Sequence, residues 1–178
     1  SGTSIACTGD PNVQFAASMS CCTATATGIN PTCFSGTNGS ATATPGPSGV
    51  GPFTYSWNTV PVQTTQTATN LSAGTYTVTI TDFNGCVSTA TVTLTNPPAM
   101  TAPITSTNVT CFGGNNGSAT VNPTGSTGPY TYSWSTVPVQ TTQTATGLPA
   151  GNNFVTITDA NGCSITVCVK VGSGSSFT

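Results

Sequence analysis

The stretch TYTVTITDFNGC (Thr75–Cys86) decides the fold because it joins a two-residue apolar period to a turn. Tyr76, Val78 and Ile80 alternate with threonines, which gives a β-strand one apolar face and one hydroxyl face. The segment DFNG (Asp82–Gly85) that follows is typical of a hairpin turn, since Asn-Gly readily adopts positive φ values. The stretch therefore predicts a half-buried strand that ends in a hairpin.

Most of the chain is a tandem repeat, and this stretch of the first copy has a counterpart in the second. The sequence TVTITDFNGC (Thr77–Cys86) corresponds to FVTITDANGC (Phe154–Cys163). Three further segments recur in the same order: TCFSGTNGSATATP with TCFGGNNGSATVNP (32–45 and 110–123), GPFTYSW with GPYTYSW (51–57 and 128–134), and the identical TVPVQTTQTAT (59–69 and 136–146). Because each copy is long enough for a small domain, the repeat predicts two similar domains.

The domain organisation follows from these repeat limits. We predict five segments: an N-terminal segment at 1–27, the first repeat at 28–97, a linker at 98–102, the second repeat at 103–172 and a tail at 173–178. Short strands separated by regular turns, with no helical apolar period, favour an all-β chain of small Greek-key sandwiches.

Two aromatic triplets are the predicted core of these sandwiches. Phe53, Tyr55 and Trp57 occupy alternate positions and so lie on one face of a strand, and the second copy has Tyr130, Tyr132 and Trp134 at the matching places. An aromatic face beside a Ser/Thr face favours packing in the core over a ligand platform. The predicted core residues are Trp57, Trp134, Tyr55 and Tyr132.

Charge is nearly absent from the 178 residues. Only 2% of them are charged, as one lysine and three aspartates, and the chain has no histidine. Nucleic-acid binding needs clustered Lys or Arg to neutralise phosphates, so the composition excludes that partner, and it excludes anionic membrane surfaces for the same reason. No apolar run is long enough to predict membrane insertion. The chain begins Ser-Gly without Met, which we interpret as a processed or partial product.

The composition also argues against catalysis. Without histidine, glutamate or paired carboxylates there is no plausible general base. Asp82 and Asp159 each begin a D-x-N-G segment that faintly resembles a calcium loop, but one carboxylate is too few for a Ca²⁺ shell, so turn capping is favoured. The sequence predicts no enzyme activity, no catalytic, cofactor-binding or metal-binding residue, and no cofactor.

The order of these motifs carries a family resemblance. C-F-x-G-x-N-G-S-A-T, then P-x-T-Y-S-W, L-x-A-G and T-I-T-D-x-N-G-C resembles the SprB repeat of Bacteroidetes cell-surface adhesins, and more broadly the immunoglobulin-like and PKD-like sandwiches. The resemblance implies two tandem immunoglobulin-like β-sandwich repeats with an additional N-terminal strand segment, located at the cell surface. Asn153 departs from the pattern because it stands where the first copy has Tyr76, which predicts a bulge or shifted strand there.

Eight cysteines without metal-type spacing predict disulfides and an oxidising, extracellular setting. Because they bracket their repeats at matching positions, we predict two bonds within repeats, Cys33–Cys86 and Cys111–Cys163. The pairing of the other four stays open between bonds within the chain and bonds between subunits; these are Cys7, Cys21, Cys22 and Cys168.

The N-terminal segment resembles the end of a repeat, because SCCTATATGINP (20–31) matches GCVSTATVTLTNPP (85–98). A lone strand has too few residues for its own core and must pair with the edge of a sheet. The segment either folds back on the first repeat or completes a neighbouring chain. We expect residues 1–30 to bridge subunits, with Cys168 the candidate partner of one N-terminal cysteine.

Two functions fit these features. The first is a structural subunit that assembles with copies of itself into an extracellular filament or surface layer, because its predicted strands lack the charges that normally protect sheet edges. On this interpretation TVPVQTTQTAT is an uncharged contact strip that is presented twice. The alternative is a glycan- or surface-binding adhesin module of a larger cell-surface protein.

Overall fold

The computed structural model describes residues 22–174, which form strands, turns and loops and no helix. No helix in that range is therefore available to span a bilayer. The all-β prediction is confirmed. The strands are β1 (Ala24–Ile29), β2 (Gly39–Pro45), β3 (Thr54–Trp57), β4 (Thr67–Leu71), β5 (Gly74–Thr81), β6 (Val87–Leu94), β7 (Ile104–Thr107), β8 (Gly117–Val121), β9 (Thr131–Trp134), β10 (Thr144–Leu148), β11 (Gly151–Thr158) and β12 (Ser164–Val171).

The described residues divide into two compact units, each an immunoglobulin-like β-sandwich. Unit 1 contains residues 22–30 and Thr37–Thr95, and unit 2 contains Pro31–Gly36 and residues 96–174. The predicted first repeat, 28–97, differs from unit 1 in three ways: unit 1 starts earlier, it leaves out Pro31–Gly36 after β1, and it ends at Thr95.

Unit 1 consists of two three-stranded antiparallel sheets, ordered β1-β2-β4 and β3-β5-β6. In the second sheet Trp57 lies opposite Val78, and Val78 lies opposite Ala90. The residues that face inward from both sheets form a single core: Ala41, Ala43, Trp57, Ala68, Leu71, Val78, Ile80, Ala90 and Leu94. On the β2 and β4 side of this core three of the four residues are alanines, which leaves room for the tryptophan.

Unit 2 repeats this plan with sheets β10-β8-β7 and β12-β11-β9. Its core contains Val109, Ala119, Val121, Trp134, Ala145, Leu148, Val155, Ile157, Val169 and Val171. Val155 again lies opposite the tryptophan of the short strand, in register with Trp134. The period-two pattern in the sequence is therefore the pattern of burial in both units.

The described part of the N-terminal segment belongs to the sandwich of unit 1. β1 pairs with β2 along its whole length, from Ala24 opposite Pro45 to Ile29 opposite Ser40, so it crosses the predicted boundary at residue 27. For these six residues the structure therefore shows the alternative in which the N-terminal segment folds back on the first repeat. Residues 1–21, with Cys7 and Cys21, lie outside the described residues, and bridging by that part stays a prediction.

β1 also lies beside β6 and runs in the same direction. The Asn30 side chain, just after β1, accepts a hydrogen bond from the Thr95 backbone N–H just after β6, at 2.9 Å. Between these ends a Cβ atom placed on Gly28 would lie only 2.9 Å from Cγ2 of Val92. Glycine at position 28 therefore permits the close approach of the two strands.

The disulfides differ from the predicted pairs. Cys22 is bonded to Cys86, and Cys33 is bonded to Cys163, with Cα atoms 6.2 and 5.5 Å apart respectively. Cys111 and Cys168 are free and exposed. Neither Cys33–Cys86 nor Cys111–Cys163 forms.

Strand direction explains this correction. β1 and β6 run in the same direction. Cys33 comes after the end of β1, whereas Cys86 comes before the start of β6, so the two cysteines lie at opposite ends of these strands. An eight-residue strand is roughly 25 Å long, and a disulfide requires Cα atoms within about 7 Å. Cys22 precedes β1 and therefore meets Cys86 at the same end. In unit 2, Cys111 and Cys163 are separated by β12 in the same way.

The expected bulge at Asn153 is absent. β11 pairs with β12 in one continuous register, in which Gly151 lies opposite Val171 and Thr158 lies opposite Ser164. Asn153 points inward, is only 6% exposed, and donates a hydrogen bond to the Pro149 carbonyl at 3.1 Å. Tyr76 donates to the matching carbonyl, that of Ser72, at 3.0 Å. The shorter amide thus replaces the phenol without a change of register.

Candidate interaction surface

The identical eleven-residue segment connects the two sheets of each sandwich along one side. In unit 1 it follows β3 and runs into β4, and both are edge strands of their sheets. In unit 2 it connects β9 to β10 in the same manner. An edge strand exposes backbone N–H and C=O groups that other chains can bind, so the conformation of this segment decides whether the edge is open.

Gln63 closes this edge in unit 1. Its backbone carbonyl accepts a hydrogen bond from the N–H of Trp57 in β3, at 3.0 Å. Its side-chain amide accepts from the Thr69 N–H in β4 at 2.9 Å and donates to the Thr69 carbonyl at 3.0 Å. The amide thereby forms the pair of bonds that a neighbouring strand would form. We call this arrangement the glutamine clamp.

Gln140 forms the same clamp in unit 2. Its carbonyl accepts from the Trp134 N–H at 3.0 Å, and its side chain exchanges two hydrogen bonds with the Thr146 backbone at 3.0 and 2.8 Å. The tryptophan indoles are fixed to the same segments, since Trp57 donates to the Thr65 carbonyl and Trp134 to that of Thr142. The glutamines and threonines of the segment therefore serve the fold of their own unit.

The valines of the segment have no such role. Val60 and Val137 are fully exposed, with relative exposures of 100% and 101%, and Val62 and Val139 are also exposed. We call these four residues the valine pairs. The predicted contact strip thus separates into polar residues that close the edge and valine pairs that face outward.

The predicted core residues lie in the two cores. Trp57 and Trp134 are each 1% exposed, and Tyr55 and Tyr132 are half-buried against the same clusters. Burial, and to a lesser extent the neighbouring Tyr130, raises the pKa of the Tyr132 phenol. None of the four presents an open aromatic face as a ligand platform would.

The two aspartates in the hairpin turns cap those turns, as the sequence predicted. Oδ1 of Asp82 accepts hydrogen bonds from the Asn84 and Cys86 N–H groups at 2.9 and 2.8 Å, and Asp159 does the same for Asn161 and Cys163. Oδ2 of Asp82 also accepts from the Val50 N–H at 3.1 Å. Among residues 22–174 no group of three His, Cys, Asp or Glu side chains lies together as metal ligands would.

Backbone hydrogen bonds, first from Cys86 and then from Val50, lower the pKa of Asp82. A carboxyl group with a depressed pKa in the folded state stabilises that state above its unfolded value, which is about 3.9, and this stabilisation disappears as the pH falls through the folded pKa. We expect Asp82→Asn to unfold more easily than the parent chain at pH 7, with the difference shrinking towards pH 2, as measured by urea titration across this range. A difference that does not change with pH would contradict this role.

Unit 2 also contains a half-open cavity of about 590 Å³. Its walls include the segment after β1 and the turn before β12, with Phe34, Met100 and Ile165 as apolar contributors. Asp159 lines the cavity, but its Oδ1 atom already binds the turn. The cavity thus combines an apolar wall with a carboxylate that is engaged in turn capping.

Structures of several proteins are similar to the chain. They include three N-terminal domains of the bacteriophage RB49 Highly Immunogenic Outer Capsid protein (21% identity, TM-score 0.49, covering 85% of this chain and 59% of that one) and murine CEACAM1b (15%, 0.31, 85% and 99%). The chain thus spans 59% of the phage structure's length. A Dscam structure is similar at 14% identity and a TM-score of 0.29, over 82% of this chain and 44% of that one. No curated protein sequence matches.

The SprB repeat family matches the chain twice, at residues 23–62 and 104–139. Each match begins at or near the first strand of a sandwich and extends through the tryptophan strand into the valine pair. The two matches therefore coincide with the two copies of the internal repeat. The resemblance to the SprB repeat that was inferred from the sequence is confirmed at these two regions, which together cover less than half of the chain.

Proposed function

We propose that the chain is a structural subunit of an extracellular filament or surface layer, assembled from copies of itself through the valine pairs. The observation that carries this proposal is the full exposure of Val60 and Val137 at the same place in both units. The glutamines of the segment form hydrogen bonds within their own unit, whereas the side chains of these two valines pack against nothing in it. Packing within the unit therefore does not explain why these positions are apolar.

Burial of these side chains provides a driving force for association. Complete burial of a valine contributes about 1.5–3 kcal/mol, and each unit offers two. A formal net charge of −2 over 178 residues opposes association only weakly. The segment has no lysine or other charge that would have to lose its hydration shell.

The duplication favours a polymer over a closed dimer. A chain with two similar adhesive patches can contact two neighbours at once, and repeated contacts of this kind produce open assemblies unless a rotation closes them. The two disulfides fit an oxidising environment outside the cytoplasm. Glycans, surfaces and other copies of the chain are all available as partners there.

The alternative function is a glycan- or surface-binding module of a larger adhesin. The exposed rings of Phe83 and Phe112, at 71% and 76%, favour this function because aromatic faces can stack on sugars. It predicts isolated particles that bind an immobilised ligand, whereas the structural function predicts uniform fibres or sheets.

The double variant Val60→Asp with Val137→Asp tests the proposal. A carboxylate in place of each valine makes burial of the patch unfavourable, because an unpaired charge must leave water. We expect the parent chain to form fibres or sheets in negative-stain electron microscopy and the variant to remain monomeric by light scattering, with at least a tenfold loss of assembled mass.

A matched control carries the same added charge elsewhere. Ile29→Asp with Phe154→Asp also replaces two exposed apolar residues, one in each unit, outside the valine pairs. This control should assemble like the parent. Equal assembly of the valine variant and the control would refute the valine pairs as the contact, and isolated parent particles that bind glycans would favour the alternative.

A further inference from the structure

The segment after β1 is bonded into unit 2, although it lies in the first copy of the sequence repeat. Cys33 is joined to Cys163, whose sulfur also lies 3.5 Å from the Thr32 carbonyl. The Ser35 N–H donates to the Asn96 side chain at 3.1 Å. A cysteine loop from one repeat is thus covalently bound to the cysteine that precedes the last strand of the following repeat.

Both cysteines of this bond have counterparts elsewhere in the chain. Cys111 occupies in TCFGG the place that Cys33 occupies in TCFSG, and Cys86 occupies before β6 the place that Cys163 occupies before β12. Cys111 is a free, exposed thiol, while Cys86 is bonded to Cys22. Met100 stands in the second copy where Cys22 stands in the first, so Cys163 has no such partner of its own.

Exposed apolar side chains accompany both counterparts. Phe112 follows Cys111, and Phe83 and Val87 flank Cys86; all three are exposed. The equivalent of Phe112 is Phe34, which lines the cavity in unit 2 with Met100 and Ile165. The chain therefore has a second cysteine loop, the TCFGG segment that contains Cys111. It also has a second turn that ends in a cysteine before a last strand, the turn at Cys86, which we call the receiving turn. The corresponding loop and turn in unit 2 are already joined by the Cys33–Cys163 bond.

We propose that Cys111 of one copy of the chain forms a disulfide with Cys86 of the next copy, so that the junction between subunits reproduces the Cys33–Cys163 bond. This inference rests on the proposed self-assembly and specifies one of its contacts. The occupant of the receiving turn is thus the TCFGG loop of a second copy.

Thiol–disulfide exchange forms this bond without an oxidant. The Cys111 thiolate attacks Sγ of Cys86 in the Cys22–Cys86 disulfide, the new Cys111–Cys86 bond forms as the old one breaks, and Cys22 leaves as a thiolate that takes up the proton lost by Cys111. The numbers of disulfides and thiols do not change. Before assembly, Cys86 is therefore held in its disulfide with Cys22 and is not a free thiol.

The test uses the full chain, assembled in buffer without added oxidant and then treated with an alkylating reagent. On non-reducing gels we expect a ladder of covalent multimers for the parent and a loss of more than tenfold in multimers for Cys111→Ser. Cys168→Ser is the matched control, since Cys168 is the other free, exposed cysteine among residues 22–174, and it should retain the ladder. Chymotryptic digestion should yield peptide 84–94 joined to peptide 95–112, with the alkyl label moved from Cys111 to Cys22.

Other results would overturn the exchange. A ladder that persists in Cys111→Ser, a Cys111–Cys111 or Cys111–Cys168 peptide, or a fall in free thiols during assembly would each do so. Fibres in the microscope without any ladder would refute the covalent junction but leave the proposed assembly intact. Absence of both would refute the two proposals together.

Discussion

Replacement of Trp57 by alanine should lower the free energy of unfolding of unit 1 by about 3–5 kcal/mol, the usual cost of removing a large buried side chain. The indole is 1% exposed, lies opposite Val78 and donates a hydrogen bond to the Thr65 carbonyl. Its loss leaves a cavity in a core whose other residues are four alanines and four larger aliphatic residues, and it removes the hydrogen bond to the Thr65 carbonyl. Trp134→Ala should have the same effect on unit 2. Urea titration and calorimetry provide the measurement.

For a domain of this size the change corresponds to a fall in melting temperature of at least about 12 °C. Phe83→Ala is the control, because that ring is 71% exposed and its loss should change stability by less than about 0.5 kcal/mol. If Trp57→Ala and Phe83→Ala were to melt alike, the assignment of Trp57 to the core would be wrong.

Removal of the Cys22–Cys86 bond, by Cys22→Ser with Cys86→Ser, should destabilise unit 1 by about 4 kcal/mol. The bond closes a loop with a sequence separation of 64, and the chain-entropy model gives this magnitude for a loop of that length. Hydrogen bonds in a hydroxyl-rich sandwich contribute only about 1 kcal/mol each, so the disulfide is a large single contribution. Urea titration of the double variant measures the loss.

Cys168→Ser provides the comparison, since it replaces a free, exposed cysteine and breaks no bond. It should unfold at nearly the same urea concentration as the parent. A double variant as stable as Cys168→Ser would show that the contacts of β1 with β2 and β6 hold it to unit 1 without help from the disulfide.

The strands and the core were predictable because burial follows side-chain parity. Tyr76, Val78 and Ile80 could face only one way once the alternation was recognised, and the buried Val78 and Ile80 confirm it. Asn153 misled because it stands where the first copy has Tyr76, with the aromatic Phe154 out of phase beside it. A side chain that satisfies a nearby carbonyl can be buried in place of an aromatic one.

The disulfides could not be predicted from spacing. Cysteines at matching positions indicate equivalence, but a bond depends on which end of the sandwich each one reaches, and this requires the direction of β1 relative to β6. The inference that Cys33 brackets its repeat with Cys86 ignored the length of β6 between them. The resemblance of the N-terminal segment to the end of a repeat was a useful signal, since it correctly indicated a strand next to Cys22.

The glutamine clamp was also hidden in the sequence. A charge-free segment suggested an open edge, because soluble β-proteins often protect edges with lysine or glutamate. The structure shows that an amide protects the edge instead, by bonding to the backbone of Thr69 and Thr146. Composition alone cannot distinguish a glutamine that faces solvent from one that completes a sheet.

A neutral clamp has a consequence for the conditions that each sandwich tolerates. Protection by lysine or glutamate weakens when counterions screen the charge or when protons remove it. An amide neither titrates in ordinary water nor attracts counterions, so the hydrogen bonds of the clamp themselves depend little on salt or on pH. The pH dependence expected of unit 1 therefore comes from the carboxylate of Asp82 and not from its closed edge.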